Sequence, residues 1–295
     1  MNCPLCLSKG LQALYRGVGD FEHGVFAQAD FYRCSSCGLI TQYPPPSADQ
    51  LKRFYPADYR PYSSTGIVSR LKDIQASLLV SKLSAELPNK RQKIIELGCG
   101  GGHFLRQLKK RGYSNLSALD WSNQLTPIFE RLGIEFHLSD IEQLDLKDSF
   151  DCVVMNNVIE HLLEPERVLA RIKASLAPGG KILVLTPNSE SLSHKFFGKY
   201  WAGLHAPRHI NIFNPQSLEV LSSRLGFSRT KFVFLTDPSA WTLSFQNTLR
   251  AKSNQSAAAR SGTTWWAILS LPAWYPAALI EHAMSRSSSM VISLS

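Results

Sequence analysis

Short apolar runs alternate with amphipathic stretches through the middle of the chain. The strand-like runs are 93–97, 116–119, 134–138, 150–155 and 181–185, and apolar residues at helical spacing occupy 102–111, 122–132 and 164–176 between them. Alternation of this kind is typical of a parallel sheet covered by helices on both faces. Asn214-Pro215 predicts a further helix at 216–225, followed by a strand at 227–235 and a final strand at 290–294. The pattern therefore predicts an α/β fold.

The segment before this region has a different character. Residues 1–45 contain few helix signals. The run Tyr43-Pro44-Pro45-Pro46 ends this segment, because consecutive prolines do not continue a helix or a strand. Helical spacing follows at Ile67, Leu71, Ile74, Leu78, Leu79 and Leu83. We expect a small module at 1–45, a linker with a lead-in helix at 46–90, and a main domain at 91–295 with insertions at 188–214 and 238–286.

Composition and charge narrow the class of protein. With 44% hydrophobic residues in 295, the chain can bury a core, which excludes wholesale disorder. The net charge is +9, and the excess lies in the last third, where ten basic residues face three acidic ones. A basic surface suits a phosphate-bearing partner, but it is also an ordinary solvated surface. Nothing after Met1 resembles a secretory signal, so we expect a cytoplasmic protein whose six cysteines are thiols or metal ligands.

Four of these cysteines form two pairs at metal-binding spacing. Cys3 and Cys6 are separated by two residues, as are Cys34 and Cys37, and Gly38 follows the second pair as the tight turn of a cysteine knuckle requires. Four thiolates complete a tetrahedral shell, so the pattern predicts a structural zinc ion, although iron fits the same sulfur cage. A closed site leaves no position for substrate, and a 45-residue unit has too little core to fold without such support.

A glycine-rich segment, Glu96-Leu97-Gly98-Cys99-Gly100-Gly101-Gly102, joins a predicted strand to a helix. Glycines there let the backbone turn sharply and approach a ligand closely, although nicotinamide and flavin folds use similar loops. Asp120 ends the next strand, where a carboxylate can bind ribose hydroxyls. Asp140 and Ile141 end the third strand, where they can contact an adenine ring.

This segment resembles motif I of class I S-adenosylmethionine-dependent methyltransferases, E-x-G-x-G-x-G, of the methyltransferase domain family 23 type. Residues 150–157 resemble motif IV, 176–181 resemble the element leading into the fifth strand, and the likeness covers roughly 67–236. It implies a Rossmann-like seven-stranded sheet whose last strand is antiparallel. It also implies that Glu96 orients the methionine end, Asp120 binds ribose and Trp121 packs on adenine. The full set of cofactor residues it implies is Glu96, Gly98, Cys99, Gly100, Gly102, Asp120, Trp121, Asp140, Ile141 and Asn156.

The cysteine module is similar to the zinc-ribbon lead-in of many bacterial methyltransferases, some of which act in sugar and polysaccharide pathways. The sugar C-methyltransferases with this lead-in carry a further C-terminal domain for which this chain has no room. We therefore expect a hydroxyl acceptor.

Two histidine segments are candidates for the acceptor side. Asn157-Val158-Ile159-Glu160-His161 resembles the E-x-x-E-H segment of ubiquinone-biosynthesis O-methyltransferases and small-RNA 2′-O-methyltransferases, which can hold a divalent metal. Asn157 replaces the first glutamate, which weakens a magnesium site, and Glu160 is equally explained as a carboxylate at a helix start.

The second segment runs from 201 to 213 and contains His205, Arg208 and His209. A neutral imidazole can accept a hydroxyl proton, and an arginine can hold a phosphate or carboxylate; buried histidines that tie the loop down are the alternative. The predicted catalytic residues are His209, His161 and Arg208.

The uncharged run 261–280 is interrupted by Pro272 and Pro276. It predicts two short helices that cover the active site or contact a membrane interface, helped by Arg250, Lys252, Arg260 and Arg286; a buried cap is the alternative.

Together these features predict a methyltransferase that acts on a hydroxyl of a small-molecule, sugar or lipid-linked acceptor, with no stable protein partner implied. An RNA methyltransferase is one alternative, although the strand end at Asn156 lacks the Asn-Pro-Pro-Tyr pattern used for base amino groups. A non-catalytic binding module that keeps the fold is the other.

Overall fold

A computed structural model of the protein describes residues 1–55, 66–124, 126–253 and 263–295. Part of the predicted linker at 46–90, Arg260 and the first two residues of the run 261–280 lie outside the described residues.

Eleven strands lie in two sheets within the described residues. The smaller sheet has the order β1-β2-β3-β9 and the larger has the order β10-β11-β8-β7-β4-β5-β6. The strands are β1 (Leu11–Gly19), β2 (Gln28–Cys34), β3 (Ile40–Gln42), β4 (Ile94–Leu97), β5 (Leu116–Asp120), β6 (Glu135–Leu138), β7 (Phe150–Asn156), β8 (Leu176–Pro187), β9 (Asn211–Ile212), β10 (Thr230–Leu235) and β11 (Ser289–Leu294). In the larger sheet β11 runs antiparallel to both of its neighbours, as the resemblance implies.

Nine α-helices flank these sheets in the described residues. Pro215 at the first turn and a capping box on Asn214 start the helix that follows β9, as the sequence predicts. The helices are α1 (Ala48–Arg53), α2 (Gly66–Lys82), α3 (His103–Lys110), α4 (Thr126–Leu132), α5 (Pro165–Ala174), α6 (Leu192–Phe197), α7 (Pro215–Arg224), α8 (Pro238–Lys252) and α9 (Trp265–Ala283).

The larger sheet is buried on both faces. Ile95 and Leu97 of β4 pack in one hydrophobic cluster, whereas Ile94 packs in the cluster on the opposite face. All four residues of β4 are buried, as expected for a central parallel strand. The sheet thus fixes the positions of the loops at its carboxyl edge.

The smaller sheet joins the N-terminal strands to the loop 188–214. Ile40 and Thr41 of β3 pair with Ile212 and Asn211 of β9, which lies in the loop 188–214. Trp201 and Leu204 of the same loop share a hydrophobic cluster with residues of β2. The cysteine module is therefore packed directly against the loop that carries the predicted catalytic residue His209.

The region 238–286 forms two packed helices, α8 and α9. The prediction of two short helices within 261–280 is wrong, because one helix spans Trp265–Ala283 with Pro272 and Pro276 inside it. Prolines four residues apart lie on one helix face, so the missing N–H groups fall on one side while the backbone continues. The strand predicted at 227–235 begins only at Thr230. Among the described residues, no helix is both long and apolar enough to cross a membrane.

Candidate active site

The glycine-rich loop follows β4 and has the backbone of a ligand-binding turn. Gly98, Gly100 and Gly102 have φ values of 65°, 48° and 65°, a region that favours glycine. A Cβ on Gly98 would lie 2.7 Å from Cγ2 of Val158, so no other residue fits there without a shift. Gly102 begins α3. The loop therefore presents bare backbone at the carboxyl edge of the sheet.

Asp120 ends β5 beside this loop. Its Oδ2 accepts a hydrogen bond from the Gly100 N–H at 2.9 Å, and its Oδ1 accepts from the Ser122 N–H at 3.0 Å. The side chain is thereby held where the sequence places a ribose-binding carboxylate.

Glu96 is buried on β4 with its carboxyl group under the same loop. Its Oε2 has no hydrogen-bond partner among the described residues. Burial raises the pKa of Glu96 to about 8, and the negative charge of Asp120 adds to this, while a hydrogen bond from Asn156 opposes it. A buried acceptor atom without a donor, beside a bare glycine cradle, fits a cationic ligand such as S-adenosylmethionine.

The remaining predicted cofactor residues complete one wall. Trp121 is half-exposed and its ring lies 6.0 Å from that of Tyr55. Asp140 caps a short 3₁₀ turn by accepting the Glu142 N–H at 2.9 Å. The structure brings nine of the ten predicted cofactor residues to one cavity, and the exception is Gly102.

The cavity has a volume of about 1930 Å³. Pockets for a single small ligand commonly measure about 300–1,000 Å³, so this space accommodates a cofactor and an acceptor together. Beyond the glycine loop its walls come from α2, α8 and α9, and include Leu71, Ile268, Leu271 and Tyr275. The acceptor half is thus largely apolar.

His209 and His161 lie side by side on the wall of this cavity. Their ring centroids are 4.6 Å apart. His209 Nδ1 lies 2.8 Å from the Gly203 carbonyl, which can only accept, so Nδ1 carries the proton and Nε2 keeps a lone pair. Burial lowers the pKa of His209 well below its usual value and that of His161 to about 3. Both imidazoles are therefore neutral near pH 7.

Glu160 is buried beside the two histidines. Its Oε1 is 3.9 Å from His209 Nε2, and its Oε2 accepts from the Thr186 hydroxyl at 3.1 Å. Burial raises its pKa to about 8. Ligand atoms of Glu160, His161 and His209 lie within 4.8 Å of one another. The side chain of Asn157, the residue that replaces a glutamate, donates to Asn156 and adds no carboxylate to this group.

Tyr55 completes the histidine group, and sequence reasoning missed it. Its hydroxyl lies 2.8 Å from His161 Nδ1. The two residues are 106 positions apart, and the sequence around Tyr55 gave no sign of this contact.

Arg208 does not lie where its predicted role in binding the substrate requires. It is fully buried, donates to Asp20 Oδ2 at 2.7 Å and to the Phe54 carbonyl at 2.9 Å, and is not among the described residues that line the cavity. Its position does not support an anion clamp for substrate. The ion pair instead ties the cysteine module to the loop 188–214.

The four cysteines of the module converge. The Sγ atoms of Cys3 and Cys37 are 3.7 Å apart, and those of Cys6 and Cys34 are 3.5 Å apart. All four lie within 4.8 Å of one another, and Gly38 has a φ of 74°. The backbone turn and the sulfur cluster therefore match the sequence expectation.

Comparison with known proteins agrees with this geometry. A profile for a methyltransferase domain matches residues 71–231, more than half of the chain. The human mitochondrial ubiquinone biosynthesis O-methyltransferase is 24% identical over 166 residues, covering 49% of this chain and 45% of that protein. The malonyl-[acyl-carrier protein] O-methyltransferase of Serratia marcescens is 30% identical over 127 residues, covering 42% of this chain and 49% of that protein. The chain thus spans about half the length of the curated relatives it matches.

A solved structure shares the fold. Phosphoethanolamine N-methyltransferase 2 of Haemonchus contortus, in complex with S-adenosyl-L-methionine, has a TM-score of 0.50 at 20% identity, over 75% of this chain and 52% of that chain. The family profile, the seven-stranded sheet with one antiparallel strand and the glycine loop agree with one another. The chain therefore belongs to the methyltransferase domain family and has the fold of class I S-adenosylmethionine-dependent methyltransferases.

Proposed function

We propose that the protein transfers a methyl group to a hydroxyl of a small-molecule, sugar or lipid-linked acceptor. The observation that carries this proposal is the neutral His209, whose Nδ1–H is held by the Gly203 carbonyl and whose Nε2 is left as a proton acceptor in the group that borders the cavity. Two relatives over part of their length, named above, are O-methyltransferases.

Methyl transfer requires the protein mainly to position the cofactor and the acceptor and to remove the hydroxyl proton. Bound S-adenosylmethionine supplies a methyl group that its sulfonium already makes electrophilic. Asp120 and the glycine loop bind the cofactor and fix its position relative to the acceptor. His209 accepts the hydroxyl proton at Nε2, and the carboxyl group of Glu160, 3.9 Å away, faces the imidazolium that results.

The apolar half of the cavity favours an acceptor with an apolar part. Leu71 on α2 and Ile268 and Leu271 on α9 face this space, and Ile74 and Leu78 on α2 are more than half exposed beside it. Peripheral contact with a membrane through α9 fits the same chemistry, because Trp265 and Leu269 are mostly exposed.

The net charge of the last third suggests an RNA acceptor, but the positions of its basic residues give this alternative little support. Arg208 and Arg250 are buried, with Arg250 donating to the Phe21 carbonyl. Lys231 pairs with Glu86, and Arg224 pairs with Glu166. Two of these four charges are buried and two are paired with carboxylates at the surface, so these four contribute little to a patch for phosphates.

We further propose that Cys3, Cys6, Cys34 and Cys37 bind a structural zinc ion and that residues 1–45 form its module. Zn–S bonds of about 2.3 Å place tetrahedral sulfurs about 3.8 Å apart, close to the separations of 3.7 and 3.5 Å observed. The ion would brace the small sheet that positions the loop 188–214.

A label-fate assay tests the proposed acceptor class. Purified protein is incubated with methyl-labelled S-adenosylmethionine and host extract, and the RNA, protein, lipid and small-molecule pools are separated. Label in the lipid or small-molecule pool, lost with His209→Gln, is the expected result. Label in RNA contradicts the proposal, and bound cofactor without any label favours a non-catalytic module. Glu130→Gln, an exposed change on α4, is the matched control.

A further inference from the structure

A second group of metal-ligating side chains lies where the cysteine module meets the loop 188–214. Glu22 and His23 lie between β1 and β2, and His205 follows a short 3₁₀ turn, with a φ of 34°. Their ligand atoms lie within 4.8 Å of one another, and Glu22 Oε2 is 3.1 Å from His205 Nδ1. Neither the cysteine cluster nor the E-x-x-E-H segment includes any of them.

Two imidazoles and one carboxylate are the donor set that first-row transition ions accept. With bonds of about 2.1 Å, neighbouring ligand atoms lie about 3.0–3.4 Å apart and opposite ones about 4.2 Å apart. The Glu22–His205 separation already matches this geometry. Small side-chain rotations bring the remaining ligand atoms within range.

The loop that carries two of the ligands is held rigidly. Buried Asp20 accepts the backbone N–H groups of Glu22, His23 and Val25 at 2.8, 2.9 and 3.0 Å. The same carboxylate pairs with Arg208, three residues after His205. Asp20 and Arg208 neutralise each other, so the net negative charge of this buried region comes from Glu22. The backbone that carries Glu22 and His23 is thus fixed in place, as a preorganised site requires.

We propose that Glu22, His23 and His205 bind a divalent first-row transition metal ion, which joins the cysteine module to the wall of the cavity. Glu22 and His205 also line the cavity, so open coordination positions of the ion face the acceptor space. This last point rests on the proposed function, whereas metal binding itself does not.

Cobalt(II) titration of the full-length protein tests the site, because thiolate ligation of cobalt gives charge-transfer absorption that nitrogen and oxygen ligands do not give. We expect one cobalt with thiolate bands and a further cobalt without them. Glu22→Gln and His23→Gln, tested separately, should each weaken the second cobalt at least tenfold. His137→Gln is the matched control, since His137 also pairs with a glutamate, Glu135, at 3.6 Å but belongs to no such group among the described residues.

Retained S-adenosylhomocysteine binding verifies that each variant is folded. Absence of a second cobalt in the wild type, or equal uptake by folded Glu22→Gln and His23→Gln variants, overturns the proposal. Failure of the methyl-transfer assay leaves cobalt uptake unaffected, so the two proposals fail independently.

Discussion

The ionisation of Glu96 is predicted to set the pH dependence of cofactor binding. Without cofactor, burial raises its pKa to about 8, so the carboxyl group is protonated near pH 6. The methionine end of S-adenosylmethionine carries a cationic ammonium group next to a cationic sulfonium. Binding should therefore favour the ionised carboxylate and release the proton.

The size of the effect follows from the pKa. For each pH unit below 8, the free energy needed to ionise Glu96 increases by up to about 1.4 kcal/mol. Between pH 6.0 and 7.5 the affinity of the wild type should rise up to about 30-fold, or about 2 kcal/mol, and level off above pH 8. Glu96→Gln cannot ionise, so its affinity should be lower at pH 7.5 and nearly constant over this range.

Isothermal titration calorimetry measures both quantities. Titrations at pH 6.5 in two buffers of different ionisation enthalpy should show nearly one proton released per cofactor bound by the wild type and none by Glu96→Gln. Glu130→Gln, exposed on α4, should behave as the wild type. An affinity that does not change with pH in the wild type, or the same pH dependence in Glu96→Gln, refutes the reasoning.

Three further predictions concern other parts of the site. Asp120→Ala should weaken cofactor binding by about 1.4–2.8 kcal/mol, or 10- to 100-fold, measured by calorimetry; unchanged affinity would refute the ribose assignment. Arg208→Met should lower the free energy of unfolding in urea by about 3 kcal/mol, because it leaves buried Asp20 without its cation; the double variant with Asp20→Asn should recover part of this loss, and a neutral single variant would argue against the ion pair. Removing zinc with a strong chelator should abolish methyl transfer while cofactor binding persists, because β3 pairs with β9 in the loop that carries His209, whereas the glycine loop follows β4 of the other sheet; loss of both functions together would contradict this division.

The parallel sheet and the cofactor side could be predicted from the sequence because their signals are local. Buried strands such as Ile94–Leu97 are mostly apolar runs, and Glu96, Asp120 and Asn156 each lie in or at the end of such a run. Strand ends in a parallel sheet meet at one edge, so positions along the chain translate directly into a site.

The acceptor side depends on contacts between distant residues, which leave no periodic pattern. Asp20 and Arg208 are 188 positions apart, and the two-residue strand β9 is too short to show alternation. The sequence of the loop therefore does not predict the burial of Arg208, because the same residue types are equally suited to substrate binding. Pro272 and Pro276 led to the wrong prediction of two short helices. Here a local helix-breaking signal was present, but packing of α9 against α8 outweighed it.

The atom that receives the methyl group is the most direct test of the account. Product formed by the wild-type protein with ¹³C-methyl-labelled cofactor can be isolated from the pool that takes up label, and the methyl carbon identified by NMR. The account predicts a methyl ether carbon, formed far more slowly by His209→Gln than by the wild type. A methyl group on nitrogen or carbon, or an undiminished rate in His209→Gln, would contradict it.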